Sequence, residues 1–313
     1  MRTLVGNRRL LQLMAVASLL WLPGEVLAQE GANIEVPDLY VLVDRVGEEV
    51  ELLRYTMGKL PNEQPPMPVD DVQPHEAFFQ AQNLFRKANR LAREVAGVER
   101  KVASTTEGEV RSADIHAVVN SALQEVLLVK AELGITDAVQ PLDRDARFEL
   151  ADVFRAIVQA NRQLNLLTEH VFTPEDVFEQ LELAISYTAG VLSSYPDAVT
   201  VPDEPAFESG KMPTDSYRRL TQCLRLTRGI AEETGIKLLR FDPRSRIRQD
   251  VLPSDVYDLA TIVVAYIGHL ASNLDAPEAD PELSTPEHIF PSHVYQRAGV
   301  LEQQLIALEE LVQ

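Results

Sequence analysis

Along most of the chain, apolar residues recur every three or four positions. Two clear runs are Val256, Ala260, Val263, Ile267, Leu270, Leu274 and Val294, Ala298, Leu301, Leu305, Leu308, Val312. That spacing puts one apolar stripe on an α-helix, and each stripe needs a partner face to cover it. Strand-like alternation of any length is absent. The pattern predicts eight helices, over 37–60, 74–103, 112–134, 144–170, 174–195, 213–240, 253–274 and 291–312. None of the 19 prolines falls inside these spans beyond the first turn, where proline breaks no hydrogen bond. The expected class is all-α.

The helix starts share a motif: proline, any residue, an acidic or polar residue, a small or apolar residue, then an aromatic. It reads Pro74-His75-Glu76-Ala77-Phe78, Pro174-Glu175-Asp176-Val177-Phe178, Pro213-Thr214-Asp215-Ser216-Tyr217, Pro253-Ser254-Asp255-Val256-Tyr257 and Pro291-Ser292-His293-Val294-Tyr295. Pro37-Asp38-Leu39-Tyr40 is one residue shorter, and Ser112-Ala113-Asp114-Ile115-His116 lacks the proline. Proline suits the first turn, where its missing N–H has no partner to lose, and a carboxylate there faces the positive end of the helix dipole. Thr173 and Asp176 have the spacing of a reciprocal capping box. The aromatic positions 40, 78 and 116 lie 38 apart, and 178, 217, 257 and 295 are separated by 39, 40 and 38.

The halves echo one another. Tyr55-Thr56-Met57-Gly58-Lys59-Leu60 matches Tyr187-Thr188-Ala189-Gly190-Val191-Leu192, and aligning Pro74 with Pro213 places Arg86 against Arg225. The implied organisation is a segment 1–28, a first four-helix bundle over 29–172 and a second over 173–313. One continuous array or solenoid is the alternative, since a period near 38 occurs in helical repeats, although those place two or three helices in each unit. The connections 61–73, 196–212, 241–252 and 275–290 are long for a bundle. A 16-residue stretch reaches roughly 50 Å and a 22-residue helix measures roughly 33 Å, so such loops can return along the bundle and make neighbouring helices parallel.

The first residues change the picture of compartment. Arg2, Arg8 and Arg9 precede an apolar run from Leu10 to Leu22, followed by Val26-Leu27-Ala28. This is the layout of a secretory signal peptide cleaved after Ala28, and the run is short for a membrane span. The expected product is soluble and periplasmic or secreted. The one cysteine, Cys223, allows no intramolecular disulfide. The net charge of −19 becomes −21 once residues 1–28 and their three arginines and one glutamate are removed. So acidic a chain has no basic footprint for nucleic acid.

Candidate chemistry is sparse. The six histidines form neither Glu-x-x-His nor His-Glu-x-x-His, so no metal site is expected; His288 and His293 flank Pro291 in what reads as a solvated loop. There is no Gly-x-Ser-x-Gly elbow and no phosphate-cradling glycine loop, so no catalytic residue is nominated. The motif aromatics either seal the helix ends against the preceding loops or ring a ligand. Two basic clusters stand out, Arg86, Lys87, Arg90 and Arg93 on the second helix and Arg218, Arg219, Arg225 and Arg228 on the sixth. They either pair with neighbouring carboxylates or receive an anion. Tyr55 with Gly58 and Tyr187 with Gly190 mark close helix crossings or a backbone opened to a ligand, because glycine inside a helix costs about 1 kcal/mol. The candidate ligand-binding set is therefore Arg86, Arg90, Arg225, Arg228, Tyr55 and Tyr187, with the cofactor unknown. The expected function is a non-enzymatic exported module that binds a partner protein or a small ligand. A carrier of a metal, haem or small anion is the second reading, and an unfamiliar enzyme the third.

Overall fold

A computed structural model describes residues 34–61, 69–98, 100, 110–168, 172–241 and 251–313. The expected signal peptide and the expected cleavage after Ala28 lie outside the described residues. The described residues fold as α1 (Val36–Thr56), β1 (Val69–Asp70), α2 (Pro74–Ala96), α3 (Ser112–Glu132), α4 (Leu150–Leu167), α5 (Pro174–Leu192), α6 (Pro213–Glu233), β2 (Arg240–Phe241), α7 (Pro253–Asn273) and α8 (Pro291–Val312). Among the described residues the protein is all-α but for one pair of two-residue strands, too short to leave any alternation in the sequence.

Every helix start uses the same bond. The third helical residue reaches back to accept the N–H of the residue before the helix. The pairs are Asp38 to Glu35, Glu76 to Gln73, Asp114 to Arg111, Asp152 to Glu149, Asp176 to Thr173, Asp215 to Met212 and Asp255 to Leu252, at 2.7–2.9 Å. In α8 the acceptor is His293 Nδ1, at 3.0 Å from Phe290 N. Each contact satisfies a donor that the helix leaves unpaired, and seven of the eight bring negative charge to the positive helix end.

Helix four starts at Leu150, six residues later than the apolar pattern predicts. Asp145 takes the N–H of Arg147 at 3.0 Å and holds 145–148 in a turn, and Asp152 caps the helix behind it. The start Leu150-Ala151-Asp152-Val153-Phe154 is a further copy of the motif with leucine for proline, and Phe154 follows His116 by 38 residues. Helix two stops at Ala96 rather than 103 because Gly97 adopts φ 68° and donates to Arg93 O at 3.1 Å. Helix six likewise ends at Glu233, short of 240. Gly58, expected inside the first helix, lies beyond its end at φ 67°.

The packing forms two quartets. α1 and α2 each rest on α3 and α4, and α5 and α6 each rest on α7 and α8, so within each quartet the first and second helices lie diagonally. These are not the pairs of a solenoid, in which each unit rests on its neighbour in sequence.

Within a quartet the helices run in the same direction. The starts Pro174, Pro213, Pro253 and Pro291 surround one small pit floored by Val177, Val256 and Val294. Phe178 lies under Arg297 at 4.5 Å, and seven residues further along both helices Gln304 donates to Ile185 O at 3.4 Å. In the first quartet Tyr40 stacks at 3.7 Å on Phe148, just ahead of α4, and Arg144 bonds Asp38 and Glu35. Arg155 of α4 donates at 2.9 Å to Val69 O, just ahead of α2. The fully described connections 133–149, 193–212 and 274–290 therefore run back along the quartets. Two motif aromatics meet the segments ahead of helix starts: Tyr257 lies 4.6 Å from Phe172, and Tyr295 has the Arg219 guanidinium at 3.6 Å and the Lys211 ammonium at 4.2 Å over its ring.

The quartets are not equivalent at their starting ends. The residues before α1 to α4 are Glu35, Gln73, Arg111 and Glu149, whereas those before α6, α7 and α8 are Met212, Leu252 and Phe290, all exposed.

The quartets meet with opposite polarity. His75, at the start of α2, stacks on His269 near the end of α7, while Lys87, further along α2, pairs at 2.8 Å with Asp258 near the start of α7. The Lys87 ammonium lies 5.2 Å from the Phe172 ring and 5.7 Å from that of Tyr257. The strands add an antiparallel bridge, Val69 opposite Phe241 and Asp70 opposite Arg240. Removing one member of a buried ion pair leaves an unpaired buried charge. Asp258→Asn should therefore cost about 3 kcal/mol or more in denaturant unfolding, while Lys87→Met combined with Asp258→Leu should cost far less. Equal losses would show that the pair does not hold the junction.

Candidate ligand-binding cleft

Where the quartets meet, α2, α5 and α7 leave a cleft of about 920 Å³. On α2, His75, Phe79, Gln82 and Arg86 follow one another at spacings of three or four and form one stripe facing the cleft. From His75 to Arg86 that stripe is roughly 16 Å long. α7 contributes Val264, Ala265, Gly268, His269 and Ser272, and α5 contributes Leu183 and Tyr187. The return segments supply Gly235 to Lys237 and Ala276 to Glu278.

Two glycines shape the walls. A Cβ on Gly268 would sit 3.1 Å from the Tyr187 ring, so glycine lets that ring lie against α7. A Cβ on Gly190 would fall 2.2 Å from Pro277 O, so glycine lets the 276–278 wall close onto α5. The crossing expected at Gly190 is thus between a helix and a return segment rather than between two helices. Ser186 Oγ secures that segment by donating to Ala279 O at 2.8 Å.

At one end of the cleft the His75 and His269 rings stack in parallel, 3.4 Å between centroids. Burial, reinforced by His269, pushes the His75 imidazole down to about 3, and burial also lowers His269, so both rings are neutral at physiological pH. Beside them Glu76 is buried. One carboxylate oxygen accepts Gln73 N at 2.7 Å, and the other accepts Leu239 N at 2.7 Å across the junction. Burial pushes Glu76 up to about 7 against the opposing pull of those two N–H groups and the adjacent Tyr266 hydroxyl.

The sequence-nominated residues separate. Arg86 and Tyr187 line the cleft together, with Arg86 Nη1 donating to Asn83 Oδ1 at 3.0 Å. Arg90 faces Asp176 at 3.8 Å. Arg228 lies 3.6 Å from Glu232 and borders a smaller adjoining cavity of about 410 Å³. Arg225 is exposed and bonds Gln222 of its own helix at 2.7 Å, away from the cleft. Tyr55, 79 % exposed at the end of α1, is also away from it. The internal match aligns Arg86 with Arg225, but α7 rather than α6 faces α2, so only the α2 position reaches the junction. His75, Glu76, Lys237 and His269 went unnominated; 194 residues separate His75 from His269, and no local spacing links them.

Among the described residues no group of three or more histidines, cysteines, aspartates or glutamates is arranged to hold a metal. Cys223 is buried, and burial raises its thiol far above the usual range. Comparison with protein-family models, with curated proteins and with solved structures finds no match.

The two neighbours at the cleft end oppose each other in pH. Glu76 is raised from 4.5, so its folded form binds extra protons between pH 4.5 and about 7 and loses stability as pH rises. His75 is lowered from 6.5, so stability falls as pH drops from 6.5 toward 3. Between pH 4.5 and 6.5 the two slopes cancel. Glu76→Gln should steepen the rise of unfolding free energy with pH in that window by about 1.4 kcal/mol per pH unit. An unchanged slope would show that Glu76 does not titrate there.

Proposed function

We propose that the chain is a non-catalytic exported binding protein that holds a small organic ligand in the cleft between its quartets. The observation that carries this reading is the cleft. Its volume of about 920 Å³ falls within the roughly 300–1,000 Å³ of small-molecule sites, and its walls combine apolar and aromatic residues with polar groups. The sequence supports a non-catalytic role through its lack of nucleophile and phosphate-loop motifs, and supports export through residues 1–28. A net charge of −19 argues against nucleic acid as partner. Among the described residues no helix is long and apolar enough to cross a membrane.

A second reading, a docking module for a partner protein, draws on the exposed Met212, Leu252 and Phe290 at the starts of α6, α7 and α8. Native mass spectrometry on protein from its source compartment separates the two. Ligand binding predicts a discrete small mass on the wild-type chain that is lost in Ala265→Trp, whose indole projects from the α7 wall into the cleft. A bare polypeptide in both, or a mass retained by the variant, would contradict the cleft as the site, and a protein-sized addition would favour docking.

A further inference from the structure

We infer that the cleft selects an amphipathic organic acid: a flat, uncharged body lying along the α2 stripe, with one carboxylate-type anion held by Arg86. This rests on the ligand-binding reading above and adds the chemical class. The stacked imidazoles of His75 and His269 present a flat neutral surface at one end, and Phe79, one turn along α2, and Tyr187, packed against Gly268, supply aromatic walls beside it. Such surfaces favour planar rings.

The opposite end is cationic. Arg86 lies eleven residues beyond His75 on the same helix, roughly 16 Å along its axis. Its Nη1 is held at 3.0 Å by the Asn83 side-chain oxygen, and Asn83 is 2 % exposed. That bond orients the guanidinium from a rigid base and leaves the Nε–Nη2 edge, whose parallel donors match a carboxylate. The lining as a whole carries two cations, Arg86 and Lys237, against one carboxylate, Glu278, in a chain of net charge −19. A cleft with this balance in so acidic a molecule favours an anion over a cation.

The test uses full-length mature protein with two probes that share one ring system, 2-naphthoate and the uncharged 2-naphthalenemethanol, titrated calorimetrically at neutral pH. The naphthoate should bind at least about tenfold more tightly than the alcohol. Arg86→Gln should abolish that preference while leaving the alcohol's affinity unchanged, and Ala265→Trp should block both probes. Equal affinity for the two probes, or a preference that survives Arg86→Gln, overturns the organic-acid assignment and leaves a cleft that binds uncharged rings. Binding of neither probe also overturns the assignment, while the ligand-binding reading stands or falls separately on the bound mass.

Discussion

Four helices that run the same way set their dipoles side by side, positive end against positive end, and the rest of this molecule depends on how that arrangement is tolerated. The recurring answer is a side chain at the third helical position accepting the N–H that precedes the helix. It appears at all eight starts, seven times as a carboxylate and once as the His293 imidazole. The same residue satisfies an orphan donor and, where acidic, offsets the accumulated positive potential. Parallel neighbours in turn demand a long return between consecutive helices. That requirement explains connections of 15 residues or more between helices of 18 to 23 residues, and it gives Tyr40 and Tyr295 their task of holding returns against the helix starts.

The short link from α4 to α5 reverses the direction of the second quartet, so the two quartets lie with opposite polarity. The start of α2 consequently meets the end of α7, and groups that do not occur together elsewhere are placed side by side: two neutral imidazoles, a buried carboxylate and a backbone N–H from the return after α6. The cleft is the space left where these surfaces do not fill one another, with Gly268 letting the Tyr187 ring of its wall lie against α7. The candidate site thus arises from the junction and not from either quartet alone.

Periodicity made the helices legible, and the motif made their starts legible, because both record local rules of capping and amphipathicity. Even the misplaced start of α4 had a signal in the 38-residue step from His116 to Phe154, hidden by leucine in place of proline. Helix ends were harder. Past Glu233 apolar residues continue into Ile236, Leu238 and Leu239, which pack as a return segment, and at both Ala96 and Glu233 the stop lies beside a glycine at positive φ. The site was only partly legible. Arg86 and Tyr187 were found through internal matches, but the same matches promoted Arg225 and Tyr55, which the reversal of the second quartet leaves on outer surfaces. The pairing of His75 with His269 depends wholly on tertiary packing, which no short spacing encodes.

The claim on which the account turns is that neighbouring helices of one quartet start at the same end. Lys211 N donates to Ser292 Oγ at 3.1 Å, which places the residues leading into α6 beside the start of α8. The direct measurement is a pulsed electron–electron distance between nitroxides at Met212→Cys and Phe290→Cys in a Cys223→Ala background, both label sites being exposed. The account predicts a single separation below about 20 Å, whereas an up-and-down pair of 21-residue helices would place the labels roughly 30 Å apart or more. A distribution centred at the longer distance would contradict the parallel quartets and, with them, the junction that forms the cleft.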